Sequence, residues 1–453
     1  MEAVMEEIRI EKYPAYKDSG VEWLGEIPEH WDVSRLGKIL TPTSIKNQPE
    51  LPLLSITREK GVIMRNDDEE ENHNFIPDDL SNYKVLRNGE FGMNKMKAWQ
   101  GSYGISSFTG IVSPAYYTFI TDPNIVPEFF HLAIRSKLYV SFFGSASDGV
   151  RVGQWDLSKD RMKNIPFLIP SIEEQRLIAT FLKRKMVQIE EAIGQKQKLI
   201  DLLKERRQIL IHNAVTRGLD PNVPMKDSGV EWIGEIPEHW TYKSLKHLVI
   251  GEKGIQTGPF GTQLNSRDLV EDGIKILNQK TLIDEEYHLG EEYISYKKFN
   301  ELSAFEVYHG DIIMGARGSF GTKTRTTFGK CSIVPEGVGS CVLHPSLIRI
   351  RPDESQLSKE YFKLYVNDSS LFLEEILNTS NATTIEVIYG ITLRDIKFPV
   401  PPLEEQIKIM NFLNEKLKAF SQLMTLEVGQ IEKLKEYKAT LINAAATGKI
   451  KVG

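Results

Sequence analysis

The residue types that most often do chemistry are scattered through this sequence. A nuclease-like pattern can be assembled from Pro352-Asp353 and Asp395-Ile396-Lys397, but so short a pattern often arises by chance, and a predicted helix separates its two parts. Cys331 and Cys341 stand ten positions apart without a second pair or histidines at metal-ligand spacing. This favours two inert thiols over a zinc site.

Motifs for binding cofactors are missing as well. Gly329-Lys330 and Gly448-Lys449 lack the earlier glycine of a phosphate-binding GxxxxGK[ST] loop, and no GxGxxG follows a predicted strand. The [DN]PP[FY] signature of amino-methyltransferases does not occur. His30 and His239 each stand in a PEHW segment, where packing or hydrogen bonding is a better interpretation than catalysis. We therefore expect no catalytic residue, metal or cofactor in this chain.

Three segments carry residue types that contact nucleic acids. Residues 83–103 are locally basic and interleaved with aromatic side chains, and residues 315–330 are basic, glycine-rich and free of acids. Glycines let backbone amides approach a phosphate closely. Residues 254–268 are dense in Gln, Thr, Asn and Arg, which can read base edges. The alternative interpretation is that all three are ordinary polar turns.

The candidate nucleic-acid contacts are Lys95, Lys97, Trp99, Gln100, Ser102, Tyr103 and Arg151 in the first half, and Gln256, Thr257, Thr262, Gln263, Arg317, Ser319, Lys323 and Arg325 in the second. The formal net charge of −6 argues against a nucleic-acid partner unless charge is segregated, as these segments indicate. The polar, acidic start of the chain is no secretory signal, and no apolar run is long enough to span a membrane. A cytoplasmic location is expected.

The strongest signal is an internal repeat. DSGVEWLGEIPEHW at 18–31 returns at 227–240 with one difference, Ile233 for Leu24. A second block, IPSIEEQRLIATFL from Ile169, matches VPPLEEQIKIMNFL from Val400. The first block recurs 209 positions later and the second 231 positions later, so the stretch between them is 22 residues longer in the second copy. Each half is thus constant, variable and constant again.

The second constant block predicts a long helix in each copy. Proline followed by Glu-Glu suits a helix start, and apolar residues then recur at spacings of three and four over four to five heptads. Equal length and register favour two antiparallel helices packed as a coiled coil, although two unrelated surface helices are the alternative. The residues assigned to this coiled coil and to partner docking are Met186, Ile189, Ile193, Ile200, Leu203, Leu210, Leu417, Phe420, Leu434 and Leu441.

The variable segments mix short β-rich runs with turns and a later helix, which predicts an α+β domain with a curved sheet in each half. The predicted strands and helices are FGMNKMKAW, GIVSPAYYTFI, NIPFLI and the helix PEFFHLAIRSKLYVSFF, then KILNQKTL, DIIMGARG, CSIVPEG, SLIRIRPD and the helix SKEYFKLYVNDSSLFLEEIL. The expected fold is therefore two such domains joined by two long antiparallel helices, with pseudo-twofold duplication. The expected domains are residues 1–165, 166–218, 219–397 and 398–453.

The chain resembles the specificity subunits of type I restriction–modification systems over nearly its whole length. The resemblance rests on the repeated DSGVEW(L/I)GEIPEHW blocks, the P-(S/P)-(I/L)-E-E-Q helix starts and the GPFGTQL loop. The resemblance implies that each variable segment is a target-recognition domain reading one half of a split DNA site. It implies that the helices set the spacer and dock two methyltransferase subunits, with restriction–translocase subunits joining for cleavage. S-adenosylmethionine, ATP and Mg²⁺ would then belong to those partners.

Two other functions remain open at this point. A self-contained DNA methyltransferase or endonuclease with atypical motifs would act without partners. A coiled-coil scaffold with no role in DNA binding would show no sequence preference.

Overall fold

The structure is a computed structural model. It describes residues 11–65, 76–149, 155–231, 233–284, 287, 292–318, 327–369, 371–379 and 386–452. The chain divides into two compact units: unit 1 contains residues 1–197 and 427–453, and unit 2 contains residues 198–426. Unit 1 is therefore built from both ends of the sequence.

Unit 1 is an α+β domain around a four-stranded antiparallel sheet. Its strands are Tyr16–Asp18, Glu26–Pro28, Asp32–Arg35, Leu40–Thr43, Leu54–Thr57, Gly61–Met64, Lys84–Leu86, Phe91–Met93, Tyr103–Ile105, Gly110–Val112, Tyr117–Thr121, Ser147–Asp148, Asp156–Leu157 and Pro166–Ile169. Its shorter helices are Leu36–Ile39, Ala98–Gln100, Pro127–Ile134, Lys137–Ser145 and Lys159–Lys163. The sheet order is Leu40–Thr43, Tyr117–Thr121, Phe91–Met93 and Tyr103–Ile105.

Unit 2 is a second α+β domain with a larger set of strands. These are Met225–Asp227, Glu235–Pro237, Thr241–Ser244, Ile255–Thr257, Leu269–Val270, Ile274–Leu277, Tyr293–Ile294, Glu306–Val307, Ile312–Gly315, Arg317–Gly318, Cys331–Ile333, Cys341–Leu343, Leu347–Ile350, Glu386–Val387 and Lys397–Val400. Its shorter helices are Leu245–His247, Glu252–Gly254, Ser266–Asp268, Gln279–Asp284, Tyr296–Glu301, Ser303–Phe305, Lys359–Asp368, Leu371–Thr379 and Gly390–Asp395.

The two units share the topology of their four-stranded sheets. In unit 2 the order is Ile255–Thr257, Leu347–Ile350, Ile312–Gly315 and Cys331–Ile333, with every pair antiparallel. Numbered along the chain within each sheet, both run first, fourth, second, third. Unit 2 adds a five-stranded sheet that contains a parallel pair, Ile274–Leu277 with Cys341–Leu343. The variable segments thus share a sheet although their sequences show no convincing similarity.

Two long helices, Ile172–Arg217 and Leu403–Ala446, confirm the predicted helical blocks. Each contributes to both units, because its two ends are buried in different cores. The first helix places Ile178 and Leu182 in the unit 1 core and Ile211 in the unit 2 core. The predicted domain boundaries treated the helices as separate domains, whereas the compact units divide each helix between them.

Within each unit, segments of the two long helices pack together. In unit 1, Lys196 Nζ lies 2.9 Å from Glu427 Oε2 and Lys438 Nζ lies 2.6 Å from Glu190 Oε1, a pattern that only antiparallel helices give. All ten residues assigned to the coiled coil are buried or half-buried, as a packed seam requires. The exposed apolar residues of these helices are others: Leu177, Val187, Leu199, Leu202, Ile209, Ile407, Leu423, Leu426 and Val428.

Four predicted elements differ from the structure, two strands and two helices. The strand predicted for residues 91–99 ends at Met93, because the Asn94 side chain accepts from Met96 N and the Asn94 amide bonds to Ser102 O in a turn. The strand predicted for residues 275–282 ends at Leu277, and a helix, Gln279–Asp284, follows. Each predicted recognition-domain helix is two helices, one of the breaks falling at Ser136.

Candidate nucleic-acid interface

The repeated EIPEHW and EEQ blocks form the frame that supports each sheet. Trp31 and Trp240 are fully buried. His30 Nε2 lies 3.0 Å from Glu174 Oε2, and His239 Nε2 lies 2.8 Å from Glu405 Oε2. In both copies the histidine therefore pairs with the second of two adjacent glutamates, Glu174 or Glu405. Both histidines therefore join the frame by hydrogen bonding, as the sequence interpretation of the PEHW segments expects.

The glutamine of each EEQ block is fully buried and joins a long helix to the recognition domain beside it. Gln175 donates to Asn124 O at 3.1 Å and to Pro170 O at 2.9 Å, and it accepts from Val126 N at 2.8 Å. Val126 is the N-cap of helix Pro127–Ile134. The frame thus fixes where the domain's first helix begins.

Gln406 repeats the arrangement in unit 2. It donates to Gln356 O at 2.8 Å and to Pro401 O at 2.9 Å, and it accepts from Ser358 N at 2.9 Å. Ser358 is again an N-cap, that of helix Lys359–Asp368. The repeated glutamine therefore has the same structural task in both copies.

The two basic segments chosen from the sequence lie at equivalent places on the two sheets. In unit 1, Leu157 N donates to Lys95 O at 3.2 Å; in unit 2, Ile388 N donates to Ala316 O at 2.8 Å. Both carbonyls lie just beyond the strand that is second along the chain in the four-stranded sheet, and each donor stands two residues before a short helix, Lys159–Lys163 or Gly390–Asp395. By this equivalence Lys95 corresponds to Ala316, the residue before Arg317.

In unit 1, the face that carries Lys95 also carries Lys46, Lys84 and Lys159. We call these four residues the lysine cluster. The Nζ atoms of Lys84 and Lys159 lie 6.0 Å and 5.8 Å from the centre of the Tyr117 ring. Burial, followed by the positive charges of Lys46, Lys159 and Lys95, lowers the pKa of Lys84. An anion bound here would relieve this repulsion, as phosphate groups do at basic surfaces.

Nearby carboxylates pair with other cations of this face. Lys95 Nζ lies 2.8 Å from Asp156 Oδ2, and this hydrogen bond raises the pKa of Lys95. Asp148 pairs with Arg161. Lys46 and Lys159 have no ion-pair partner among the residues that the structure describes. The positive charge of the cluster therefore lies mainly on Lys46, Lys84 and Lys159, none of which was among the candidate contacts chosen from the sequence.

The other candidates of the first half have mixed positions. Lys97 is exposed, while Trp99 and Gln100 are half-buried. The Trp99 ring packs against Trp155 with centroids 5.1 Å apart. Arg151 lies outside the described residues.

Ser102 and Tyr103 are a correction to the predicted interface. Both are buried, and the Tyr103 ring packs 4.5 Å from Phe143 in the core. The alternating positions of the edge strand turn Tyr103 inward, because an aromatic ring at this position closes the core. Neither side chain is available to a ligand on this face.

The second-half candidates mostly reach the surface. Thr262, Gln263 and Arg317 are exposed, and Gln256 and Thr257 are half-buried. Gln263 Oε1 accepts from Phe260 N at 3.0 Å, which closes the GPFGTQ turn. Ser319, Lys323 and Arg325 lie outside the described residues.

This face of unit 2 also carries exposed apolar side chains that the sequence-based choice missed. Phe260 is 69% exposed, Tyr389 63% and Ile391 75%; we call these three residues the apolar patch. A Cβ at Gly390 would lie 2.6 Å from Thr257 Oγ1, so the segment carrying Tyr389 and Ile391 passes directly against the strand that leads to Phe260. The backbone of Arg317 pairs with the backbone of Val387, which stands two residues before Tyr389.

Other classes of site find little support in the described part of the chain. No group of three or more His, Cys, Asp or Glu side chains there is placed to hold a metal ion. Cys331 and Cys341 are buried cysteines, and burial raises the pKa of Cys341 to about 12. No helix among the described residues is long and apolar enough to cross a membrane.

Comparisons with known proteins agree with this architecture. Residues 268–436 match the family model described as "Type I restriction modification DNA specificity domain". The type I restriction enzyme MjaVIII specificity subunit of Methanocaldococcus jannaschii is 24% identical, over 94% of both chains. The type I restriction enzyme StySPI specificity subunit of Salmonella potsdam is 23% identical over 71% of this chain.

Two solved structures share the fold. One, described as the structural basis of complex assembly and conformational transition of the type I R-M system, has a TM-score of 0.67 and 17% identity, covering 93% of this chain and 98% of that one. The HsdS subunit from Thermoanaerobacter tengcongensis has a TM-score of 0.56 and 16% identity, covering 94% and 98%. The fold is thus the α+β fold of HsdS subunits.

The resemblance inferred from the repeated blocks is therefore confirmed. The relatives and the matching family model are specificity subunits of type I restriction–modification systems, which supports DNA recognition within such a system as the function of this chain. A self-contained methyltransferase or endonuclease is not favoured, since the relatives reported above are specificity subunits.

Proposed function

We propose that this chain directs a type I restriction–modification complex to a split DNA sequence, with unit 1 and unit 2 each reading one half. One observation carries the proposal: two sheets of the same topology present chemically different faces at equivalent positions. Equal scaffolds with unequal faces suit an asymmetric site, because bases are distinguished by the side chains that reach their edges.

The lysines position the complex on DNA without reading sequence. Ammonium groups neutralise phosphates and release counterions, so this part of the binding free energy depends strongly on salt. Specific contacts would come from side chains such as Gln100, Gln263 and Arg317, which can hydrogen-bond to base edges. The predicted contacts Lys95, Lys97, Trp99, Gln256, Thr257 and Thr262 remain part of this proposal.

The long helices set the unspecified spacer between the two half-sites. Both run without interruption, over 46 and 44 residues, and each contributes to both units. A helix rises about 1.5 Å per residue, so its length changes in steps smaller than one base pair. Lengthening both helices by one heptad should alter the spacer and leave both half-sites unchanged.

The partners in this proposal are double-stranded DNA, two modification subunits and the restriction–translocase subunits. Exposed apolar residues on the long helices supply docking contacts. In unit 1, Val187 and Met186 line a cavity of about 780 Å³ between the first long helix and helix Pro127–Ile134. S-adenosylmethionine, ATP and Mg²⁺ are bound by the partners, and the assembly works in the cytoplasm.

Methylome sequencing tests the proposal. The chain is expressed with its modification subunit in cells lacking other methylation, and modified bases are mapped by single-molecule sequencing. We expect a split motif with a gap of several bases. Methylation at one continuous motif, or methylation by the purified chain without a partner, would contradict the proposal. The charge-removed variant Lys84→Gln/Lys159→Gln should retain the motif while methylating fewer sites, and the scaffold alternative predicts no change.

A further inference from the structure

The apolar patch of unit 2 differs in kind from the lysine cluster that occupies the equivalent face of unit 1. Helix Gly390–Asp395 corresponds to helix Lys159–Lys163, because each follows the equivalent backbone hydrogen bond. At the first helical position, unit 1 has Lys159 over the Tyr117 ring and unit 2 has Gly390. The residues on either side of Gly390, Tyr389 and Ile391, are exposed and apolar in character.

The loop after the first strand of each sheet shows the same contrast. In unit 1 this loop carries Lys46, whose charge acts on Lys84. In unit 2 the corresponding loop carries Phe260, held in a turn by the Gln263 side chain. Three exposed apolar side chains on one polar, Arg-bearing face are costly in water and indicate a contact with an apolar group.

Duplex DNA offers one such group in the major groove, the 5-methyl group of thymine. Resting on the proposed function, we infer that Phe260, Tyr389 and Ile391 contact thymine methyl groups and so determine part of the half-site that unit 2 reads. Arg317 lies at the border of this patch, where it can contact a guanine or a phosphate. Among the described residues, unit 2 thus offers apolar contacts at the place where unit 1 offers positive charge.

The experiment uses the full chain with its modification subunits. Duplexes are selected from a random library to define both half-sites, and each thymine is then replaced by deoxyuridine, which lacks the methyl group. We expect at least one thymine in one half-site whose replacement weakens binding about fourfold, the value for losing one buried methyl group. The variants Phe260→Ala, Tyr389→Ala and Ile391→Ala are tested on the same duplexes. In the variant that lacks the contacting side chain, the deoxyuridine replacement should weaken binding no further.

A salt titration provides the second readout. The patch variants should weaken binding at every salt concentration without changing the slope of log K against log [salt], because no charge is removed. Tyr296→Ala is the matched control, since Tyr296 is 72% exposed but stands on helix Tyr296–Glu301. All four substitutions remove exposed side chains, so folding should be retained.

Three results would overturn the inference while leaving the proposed function intact. The half-site that unit 2 reads could contain no thymine, or the deoxyuridine replacements could leave the affinity for the duplex unchanged. The patch variants could also bind DNA normally but fail to assemble with the modification subunit. The last result would make the patch a protein-docking surface. Loss of all sequence preference in the unmodified chain would instead contradict the proposed function itself.

Discussion

The two units differ where they face a ligand and agree where they are built. Each has a four-stranded sheet of the same order, a buried tryptophan and a buried glutamine that ties an N-cap to a long helix. At the equivalent face, unit 1 presents Lys84 and Lys159, whereas unit 2 presents Phe260 and Ile391. The difference shows that a scaffold can be kept while its surface chemistry changes, since exposed side chains contribute little to folding.

The largest expected effect tests the charged side of this comparison. Lys84→Gln/Lys159→Gln should weaken DNA binding on the order of a hundredfold, because two charge-assisted contacts to phosphate are lost. The slope of log K against log [salt] should fall by about two. Filter binding or fluorescence anisotropy between 50 and 200 mM salt measures both. An unchanged slope would show that the lysine cluster does not contact phosphates.

The next effect tests whether the two frames are equivalent. Gln175→Ala and Gln406→Ala should each destabilise their own unit by about 2 kcal/mol, because each leaves a buried N–H and two carbonyls without partners. Hydrogen exchange at the helix starts Pro127–Ile134 and Lys359–Asp368 reports the two units separately. Unequal losses, or a loss spread evenly over both units, would contradict the equivalence.

A smaller effect distinguishes the ends of the two long helices. Gly448 and Gly218 both have positive φ, 71° and 74°, so alanine costs about 1 kcal/mol at either position. A Cβ at Gly448 would also lie 2.4 Å from Pro28 Cδ, whereas one at Gly218 meets Glu405 Oε1 at 2.8 Å, the end of a flexible side chain. Thermal unfolding should therefore show Gly448→Ala to be the more harmful substitution.

The last effect is a pH dependence that a buried histidine should give to unit 1. Burial, followed by the charge of Arg135, lowers the pKa of His131 to about 4. Between pH 6.5 and 4 the unfolded chain therefore binds a proton that the folded chain does not, so stability falls as pH falls, by at most about 1.4 kcal/mol per pH unit.

His131→Gln should flatten that slope, because glutamine can accept the Ile105 N–H bond but does not titrate. Chemical unfolding at pH 6.5, 6.0, 5.5 and 5.0 measures the difference. The corresponding helix of unit 2 has Lys363 at this position, counted from the N-cap, so His131 has no counterpart there, although burial also lowers the pKa of His344 in unit 2. Equal slopes in the variant and the parent chain would disprove the assignment.

Much of the frame could be predicted from the sequence. The constant blocks predicted both long helices, the inward residues of the coiled coil and the hydrogen-bonded place of His30 and His239 in the frame. These features depend on local patterns: helical periodicity, helix-start residues and exact recurrence. The same reasoning placed Arg317 and Lys97 at the surface, because charged side chains on turns stay in water.

The reading faces could be predicted only in part. Tyr103 was chosen for its aromatic ring, but strand alternation and core packing turn it inward. Phe260 and Ile391 were passed over because apolar residues are usually buried, and nothing local marks them as exposed. Lys46 and Lys159 stand far apart in the sequence, and only the pairing of Leu40–Thr43 with Tyr117–Thr121 brings their charges together.

The sequence by itself determined the duplication, the long helices and the family resemblance. Repeats and helical periodicity are patterns along the chain, and they can be recognised without knowing the fold. The tertiary structure decided that the first frame is completed by the C-terminal end, where Gly448 lies against Pro28 and Lys451 N donates to Glu11 O. It also decided which face each variable segment presents. Both depend on contacts between residues hundreds of positions apart, whose free energy no local pattern encodes.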